Sequence, residues 1–236
     1  MTFAELRKPL HRFFALAACM AGLTSAHADT GMVLAGADGS SHASYGYVGA
    51  VTRLGGDLGQ TGLLLKAWAD TMRYEYVSAG VPIKARAEGG QLALGYQWLR
   101  SDGYATIYLG AATRNTRLPP AIISPRAGRQ SGAVAEVDFS QQLSAESRLD
   151  AIVSYTEKTR DHWSRARWVR QSGQSMAWGP EVVSQGNSDY SAWRLGAFAG
   201  NIALGSNLRL EANAGYAKTR ALKGGAYGGL SVVASF

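Results

Sequence analysis

The chain has 236 residues, 17% of them charged and 29 of them glycine, with a formal net charge of +7. That length fits one domain, and 46% hydrophobic residues with so little charge exclude a disordered chain. Abundant glycine is costly in long helices and suits strands joined by tight turns.

In chain order, residues 1–28 have the layout of an export signal. Arg7, Lys8 and Arg12 form a basic start, Phe13 to Leu23 a short apolar run, and Ala26-His27-Ala28 a small-x-small cleavage site. A second reading takes Leu16-Ala17-Ala18-Cys19 as a lipoprotein site that would place a lipid on Cys19. The apolar run is too short to cross a bilayer as a helix. Cleavage after Ala28 removes three basic residues, one acid and the sole cysteine, leaving residues 29–236 as one domain of net charge +5. That domain excludes disulfides and cysteine-containing zinc sites. No nucleic-acid partner is expected for an exported chain, whereas a modest positive excess suits anionic lipid head groups and lipopolysaccharide.

From residue 31 onward apolar and polar residues alternate with a period of two. Leu92, Leu94, Tyr96 and Trp98 oppose Gln91, Ala93, Gly95 and Gln97; Ala133, Ala135, Val137 and Phe139 oppose Val134, Glu136 and Asp138. Leu149, Ala151, Val153 and Tyr155 oppose Asp150, Ile152, Ser154 and Thr156, and Leu208, Leu210, Ala212, Ala214 and Tyr216 oppose Arg209, Glu211, Asn213 and Gly215. Strands are predicted near 31–38, 43–53, 62–77, 84–100, 104–117, 132–143, 147–158, 162–172, 175–184, 191–202, 207–218 and 226–236, about twelve in all, with ten as the lower count. Turn chemistry joins them, as in Gly55-Gly56-Asp57, Ser101-Asp102-Gly103 and Gly205-Ser206-Asn207. One long loop, Leu118 to Gly132 with Pro119, Pro120 and Pro125, is expected to be removable without interrupting a strand.

Two all-β solutions fit, a soluble exported sandwich and a closed antiparallel transmembrane barrel in the bacterial outer membrane. An apolar face opposed to Arg, Glu, Asn and Gln, with aromatics near strand ends, favours the barrel. The last segment adds Leu230, Val232, Ala234 and a terminal Phe236 in one phase, the closing strand that outer-membrane assembly machinery commonly reads.

The sequence also resembles the BcsS family of outer-membrane proteins encoded beside bacterial cellulose-synthesis genes. The resemblance rests on Gly95-Tyr96-Gln97-Trp98, Trp163-Ser164-Arg165, Gly179-Pro180-Glu181 followed by Gly186, Arg194-Leu195-Gly196 and Ala214-Gly215-Tyr216-Ala217, in that order over most of the chain. It implies a signal-bearing barrel, not known as an enzyme, that accompanies cellulose production or secretion. A cellulose chain or export components of the synthase are the partners so implied, and the resemblance carries no catalytic residue over.

If the apolar phase faces lipid, the lumen receives Glu136, Asp138, Asp150, Arg165, Arg167, Glu181, Arg194, Arg209, Glu211 and Asn213, with Tyr104, Tyr108 and Trp163. Such charges can neutralise one another in a narrow interior. Alternatively Tyr104, Tyr108 and Trp163 stack on sugar rings while Arg165, Arg167, Glu181, Arg194, Arg209 and Glu211 hydrogen-bond hydroxyls. A rival chemistry is the His162-x-Ser164 pair, spaced as base and nucleophile of a lipid A deacylase. It falls on the lipid-facing phase, and Glu181 on the next strand points the other way, so no acid is placed to orient His162. Glu136 and Asp138 have the residue types of a glycoside-hydrolase pair but the i, i+2 spacing of ordinary inward acids. His42 is expected to be exposed. No phosphate-binding glycine loop or metal cluster is found, so no cofactor is expected, and a narrow small-solute porin remains an alternative to the accessory role.

Overall fold

The structure, a computed structural model, describes residues 30–120, 122, 124–172 and 176–236. The expected signal and Cys19 lie outside the described residues. Twelve strands follow one another: β1 (Gly31–Ser40), β2 (Ala43–Arg53), β3 (Gly62–Ser78), β4 (Val81–Arg100), β5 (Gly103–Arg117), β6 (Gly128–Ser144), β7 (Ser147–Thr156), β8 (Asp161–Ser172), β9 (Met176–Gly186), β10 (Ser191–Ala203), β11 (Leu208–Thr219) and β12 (Gly225–Ser235). Each pairs with the next, and β1 pairs antiparallel with β12, closing the barrel.

The alternation decides which face turns inward. On β4, Leu92, Leu94, Tyr96 and Trp98 are exposed on the outer face, while Ala87, Ala93 and Gln97 are buried in the lumen. Leu109, Val137, Val153, Val182, Leu195 and Leu230 continue the outer apolar band around the barrel. Tyr96, Trp98, Trp168 and Trp178 border it toward the end where β1 starts and β12 finishes, the lower end, and Tyr155, Trp193 and Tyr216 border it toward the other. An apolar band between two aromatic girdles is the signature of a barrel that spans a membrane.

The seam is fastened at the lower end, where Gly31 and Phe236 exchange backbone hydrogen bonds of 3.0 Å. The Phe236 ring lies on Gly31, where a Cβ would come within 2.5 Å of it. At the opposite end β3 to β6 project furthest, and the expected loop boundary needs correction. β6 begins at Gly128, not after Gly132, and residues 128–131 pair with Thr113–Thr116. Excising residues 118–132 would therefore cut the first rungs of β6. Gly128-Arg129-Gln130-Ser131 has no apolar phase because it stands above the lipid band, where a strand needs none. β4 likewise starts at Val81: Ala79 and Gly80 both have positive φ, 49° and 79°, the geometry of a two-residue hairpin turn matched to strand twist.

Candidate functional site in the barrel lumen

Inward charges meet across the lumen in paired sets. On the β8–β12 wall, Arg167 donates from Nε to Glu181 at 2.6 Å and from its two Nη atoms to Glu211 at 2.8 and 2.6 Å. Glu181, 2% exposed, also accepts from Tyr227 at 3.3 Å and Asn213 at 3.4 Å. Arg194 pairs with Asp38 at 2.7 Å and donates to Gln185 at 2.8 Å. On the β3–β6 side Lys66 pairs with Glu136, and Arg114 stands between Asp70 at 3.1 Å and Asp161 at 2.9 Å. Each buried ion thus has a partner, the condition under which such charges are tolerated away from water.

Midway down the lumen, two inward charges stand outside these pairs. Among the described residues Arg165 has no carboxylate partner; its guanidinium lies 5.5 Å from the Trp163 ring centroid. Among the same residues Asp138 has no cation partner within ion-pair distance and accepts one side-chain hydrogen bond, from Tyr104 at 3.3 Å. Asp138 pairs in register with Ile152, and Ile152 with Arg165, so the two occupy one rung about 10 Å apart across two strand spacings.

Aromatic rings line the facing wall. Tyr47 and Trp68 are stacked with centroids 4.7 Å apart and planes at 11°, and Trp68 Nε1 donates to Tyr45 at 3.1 Å. Tyr47, Trp68 and Tyr108 each sit opposite a glycine, Gly36, Gly49 and Gly95. A Cβ at Gly49 would come 2.2 Å from Trp68, and one at Gly95 2.4 Å from Tyr108. The missing side chains let the rings lie flat across the neighbouring strand, so they coat the wall and leave space in front of it. That space is a cavity of about 520 Å³, lined from Leu58 and Gln97 near the lower end to Arg126, Asn187 and Tyr190 near the opposite end.

Connections narrow both mouths. Between β2 and β3, Leu58 turns inward onto Val51, Leu64, Ala93 and Tyr108, held by Gln97, which donates to the carbonyls of Leu58 at 2.9 Å and Gln60 at 3.1 Å. At the other end Arg126, between β5 and β6, donates to the Thr159 carbonyl at 2.7 Å and pairs with Asp189 at 3.1 Å. Tyr74 and Tyr190 pack beneath it with centroids 5.0 Å apart.

Of the residues singled out in the sequence, Tyr104, Tyr108, Trp163, Arg165, Glu181, Arg194 and Glu211 line the cavity. Arg167 is sealed within its ion pairs and does not reach the cavity. Arg209 sits at the β10–β11 turn, donating to the carbonyls of Gly205 at 2.8 Å and Ser206 at 3.2 Å. His42, expected to be exposed, is half-buried with Nδ1 3.2 Å from Glu75. Sequence reasoning missed Asp38, Tyr45, Tyr47, Lys66, Trp68, Asp70 and Arg114. The signal on β3 was the phase Leu64, Lys66, Trp68, Asp70, Met72, Tyr74, obscured because Leu63 and Leu65 make the other phase begin apolar as well. His162 is exposed, and Ser164 on the same phase donates at 3.5 Å to the Ser184 carbonyl. Among the described residues no carboxylate partners His162, and Glu136 is committed to Lys66.

The model of the family described as cellulose biosynthesis protein BcsS matches residues 32–236, nearly the whole barrel. The chain belongs to the BcsS family. No curated protein matches it significantly in sequence. Among solved structures the BcsS-family barrel is similar to the KdgM porin in complex with disordered oligogalacturonate, at 7% identity and TM-score 0.55 over 87% of this chain and 99% of that one. It is similar to a TodX deltaS2S3 mutant monoaromatic hydrocarbon channel at 8% and 0.54, over 89% and 90%. It is also similar to the transport unit of the autotransporter AIDA-I from Escherichia coli at 8% and 0.51, over 95% and 98%. At such identities the likeness shows the fold alone, an outer-membrane-type β-barrel.

Proposed function

We propose that this BcsS-family barrel sits in the outer membrane as a non-enzymatic accessory of cellulose biosynthesis or export, its lumen giving a short stretch of glucan a contact surface and not a wide secretion channel. The observation that carries this reading is the partition of the lumen into neutralised charges and one uncommitted rung, Asp138 and Arg165, beside Trp163. Barrels of about eight strands are filled by side chains and those of 16 to 18 leave an aqueous channel; twelve strands crossed by ion pairs fall between. A cavity of about 520 Å³ is of the size that holds a small ligand.

A neutral sugar suits it. Ring faces at Tyr47, Trp68 and Trp163 can take the apolar face of a pyranose, while Asp138 accepts from hydroxyls and Arg165 donates to them. Around the cavity Asp38, Asp70, Glu136, Asp138, Asp161, Glu181 and Glu211 outnumber Lys66, Arg114, Arg126, Arg165 and Arg194, which disfavours an acidic polysaccharide. His162, exposed although it also borders the cavity, has no carboxylate partner among the described residues, which supports a non-enzymatic reading. Components of cellulose export would meet the barrel at its mouths.

The test is a deletion strain scored for cellulose by dye binding and cellulase-sensitive biofilm, complemented with wild type or with Trp163→Ala, Asp138→Asn and Arg165→Gln combined. Reduced cellulose restored only by wild type is expected. Unchanged cellulose while the synthase is active contradicts the proposal. A second reading, a narrow small-solute porin, is favoured by a lining that runs from one mouth to the other. It predicts a steady conductance in planar bilayers that cello-oligosaccharides leave unchanged.

A further inference from the structure

A row of like charges crosses the outside of the barrel. Arg73 pairs in register with Arg86 across β3–β4, and Arg86 with Arg117 across β4–β5. All three are exposed on the outward phase, on neighbouring strands about 4.8 Å apart. Lys84 lies one rung above on the same phase, opposite Glu75, and Arg129 on β6 lies opposite Asn115. Two carboxylates are nearby: Glu88 pairs with Arg117 at 3.2 Å, and Glu75 is engaged by His42 at 3.2 Å. Among the described residues Arg73, Lys84, Arg86 and Arg129 have no carboxylate partner, so the patch stays strongly positive. Like charges placed directly opposite one another on adjacent strands destabilise a sheet, and an anion bridging them removes that penalty.

The height of the row selects the anion. Arg86 precedes Trp98 of the lower girdle by twelve residues on β4, roughly 30 Å along the barrel axis for a strand tilted as in such barrels, against an apolar band of about 25 Å. The arginines therefore stand just beyond the band, at head-group level. Further down the same face, past Glu88 and Gly90, Leu92 and Leu94 on β4 and Leu109 beside them on β5 face outward, an apolar track for acyl chains. The longest strands, β3 to β6, project at this end, away from the start of β1 and the end of β12, as the extracellular side of such barrels does.

We propose that Arg73, Arg86 and Arg117 form a binding site for the phosphates of a glycolipid in the outer leaflet, a lipid A head group whose acyl chains lie along Leu92, Leu94 and Leu109. Guanidinium groups donate bidentately to phosphate oxygens, and a row of three matches a head group carrying more than one phosphate. This site is on the lipid face and does not depend on what the lumen binds.

The experiment places the purified barrel in phosphatidylcholine nanodiscs, plain or doped with bisphosphorylated lipid A, with lipid A stripped of its phosphates, or with phosphatidylglycerol, and reads the unfolding midpoint. Wild type should shift upward with bisphosphorylated lipid A and with neither of the other two lipids. The triple variant Arg73→Gln, Arg86→Gln, Arg117→Gln should lose that shift and, in plain nanodiscs, melt no lower than wild type because the repulsion is gone. Arg100→Gln, at the other end of β4, should keep the shift. Equal shifts with stripped lipid A or phosphatidylglycerol overturn the proposal, as does a shift retained by the triple variant. Abolition of the shift by millimolar inorganic phosphate assigns the row to free phosphate and overturns the glycolipid reading. If the triple variant does not insert, the wild-type comparison of phosphorylated with stripped lipid A still decides.

Discussion

Glu181 gathers four donor atoms or groups from Arg167, Tyr227 and Asn213 at one buried point. Glu181→Ala leaves Arg167 with only Glu211 and strands part of a buried guanidinium, so it should destabilise the barrel by about 3–5 kcal/mol, measured as a lower urea midpoint in lipid. Arg165 behaves oppositely. Having no carboxylate partner, Arg165→Gln should change stability by no more than about 0.5 kcal/mol, and a large loss would mean that it is structural and not held for a ligand. At this scale the sequence showed which charges point inward but not which are spent on one another. Arg165 and Arg167 sit two apart on one strand with the same chemistry, and only Glu181, in register with Arg167 on β9, and Glu211, reaching in from β11, separate a free cation from a sealed one.

Each strand turns its alternation into two surfaces, and small residues tune the inner one. Gly49 on β2 exists in steric register with Trp68 on β3. Gly49→Leu should push the indole off the wall, destabilise by about 1–3 kcal/mol as overpacking does, and shift the tryptophan emission. An unchanged spectrum would show that the ring does not lie there. At β12, the Phe236 ring on Gly31 and the backbone exchange beneath it fasten the seam, so deleting Phe236 should lower the fraction of chain that assembles, read as less of the fast-migrating form on unboiled gels. Element number was legible, and phase on strands other than β3 such as β4, β6 and β11, because period-two alternation is strong wherever a strand faces lipid on one side. Boundaries failed at Gly128 and Val81, where strands rise above the lipid and the pattern has no cause. The arginine row lies on predicted strands, and sequence reading passed over it because only the register between β3, β4 and β5 sets Arg73, Arg86 and Arg117 side by side.

The whole molecule combines a lipid-facing band, narrowed mouths and a cavity whose charges are almost all matched. The closed twelve-strand architecture follows from pairing every edge, and it predicts heat-modifiable migration: a faster band before boiling than after. Family membership and the uncommitted rung at Asp138 and Arg165 together favour contact between the lumen and a neutral glucan. The most direct measurement is calorimetric titration of the detergent-folded barrel with cellotetraose, alongside an acidic oligogalacturonate of equal length. Saturable binding of cellotetraose at one site per barrel, weakened by Asp138→Asn and Arg165→Gln and absent for the acidic sugar, is the predicted result. No saturable binding to the wild-type barrel, or equal binding of both sugars, would contradict it.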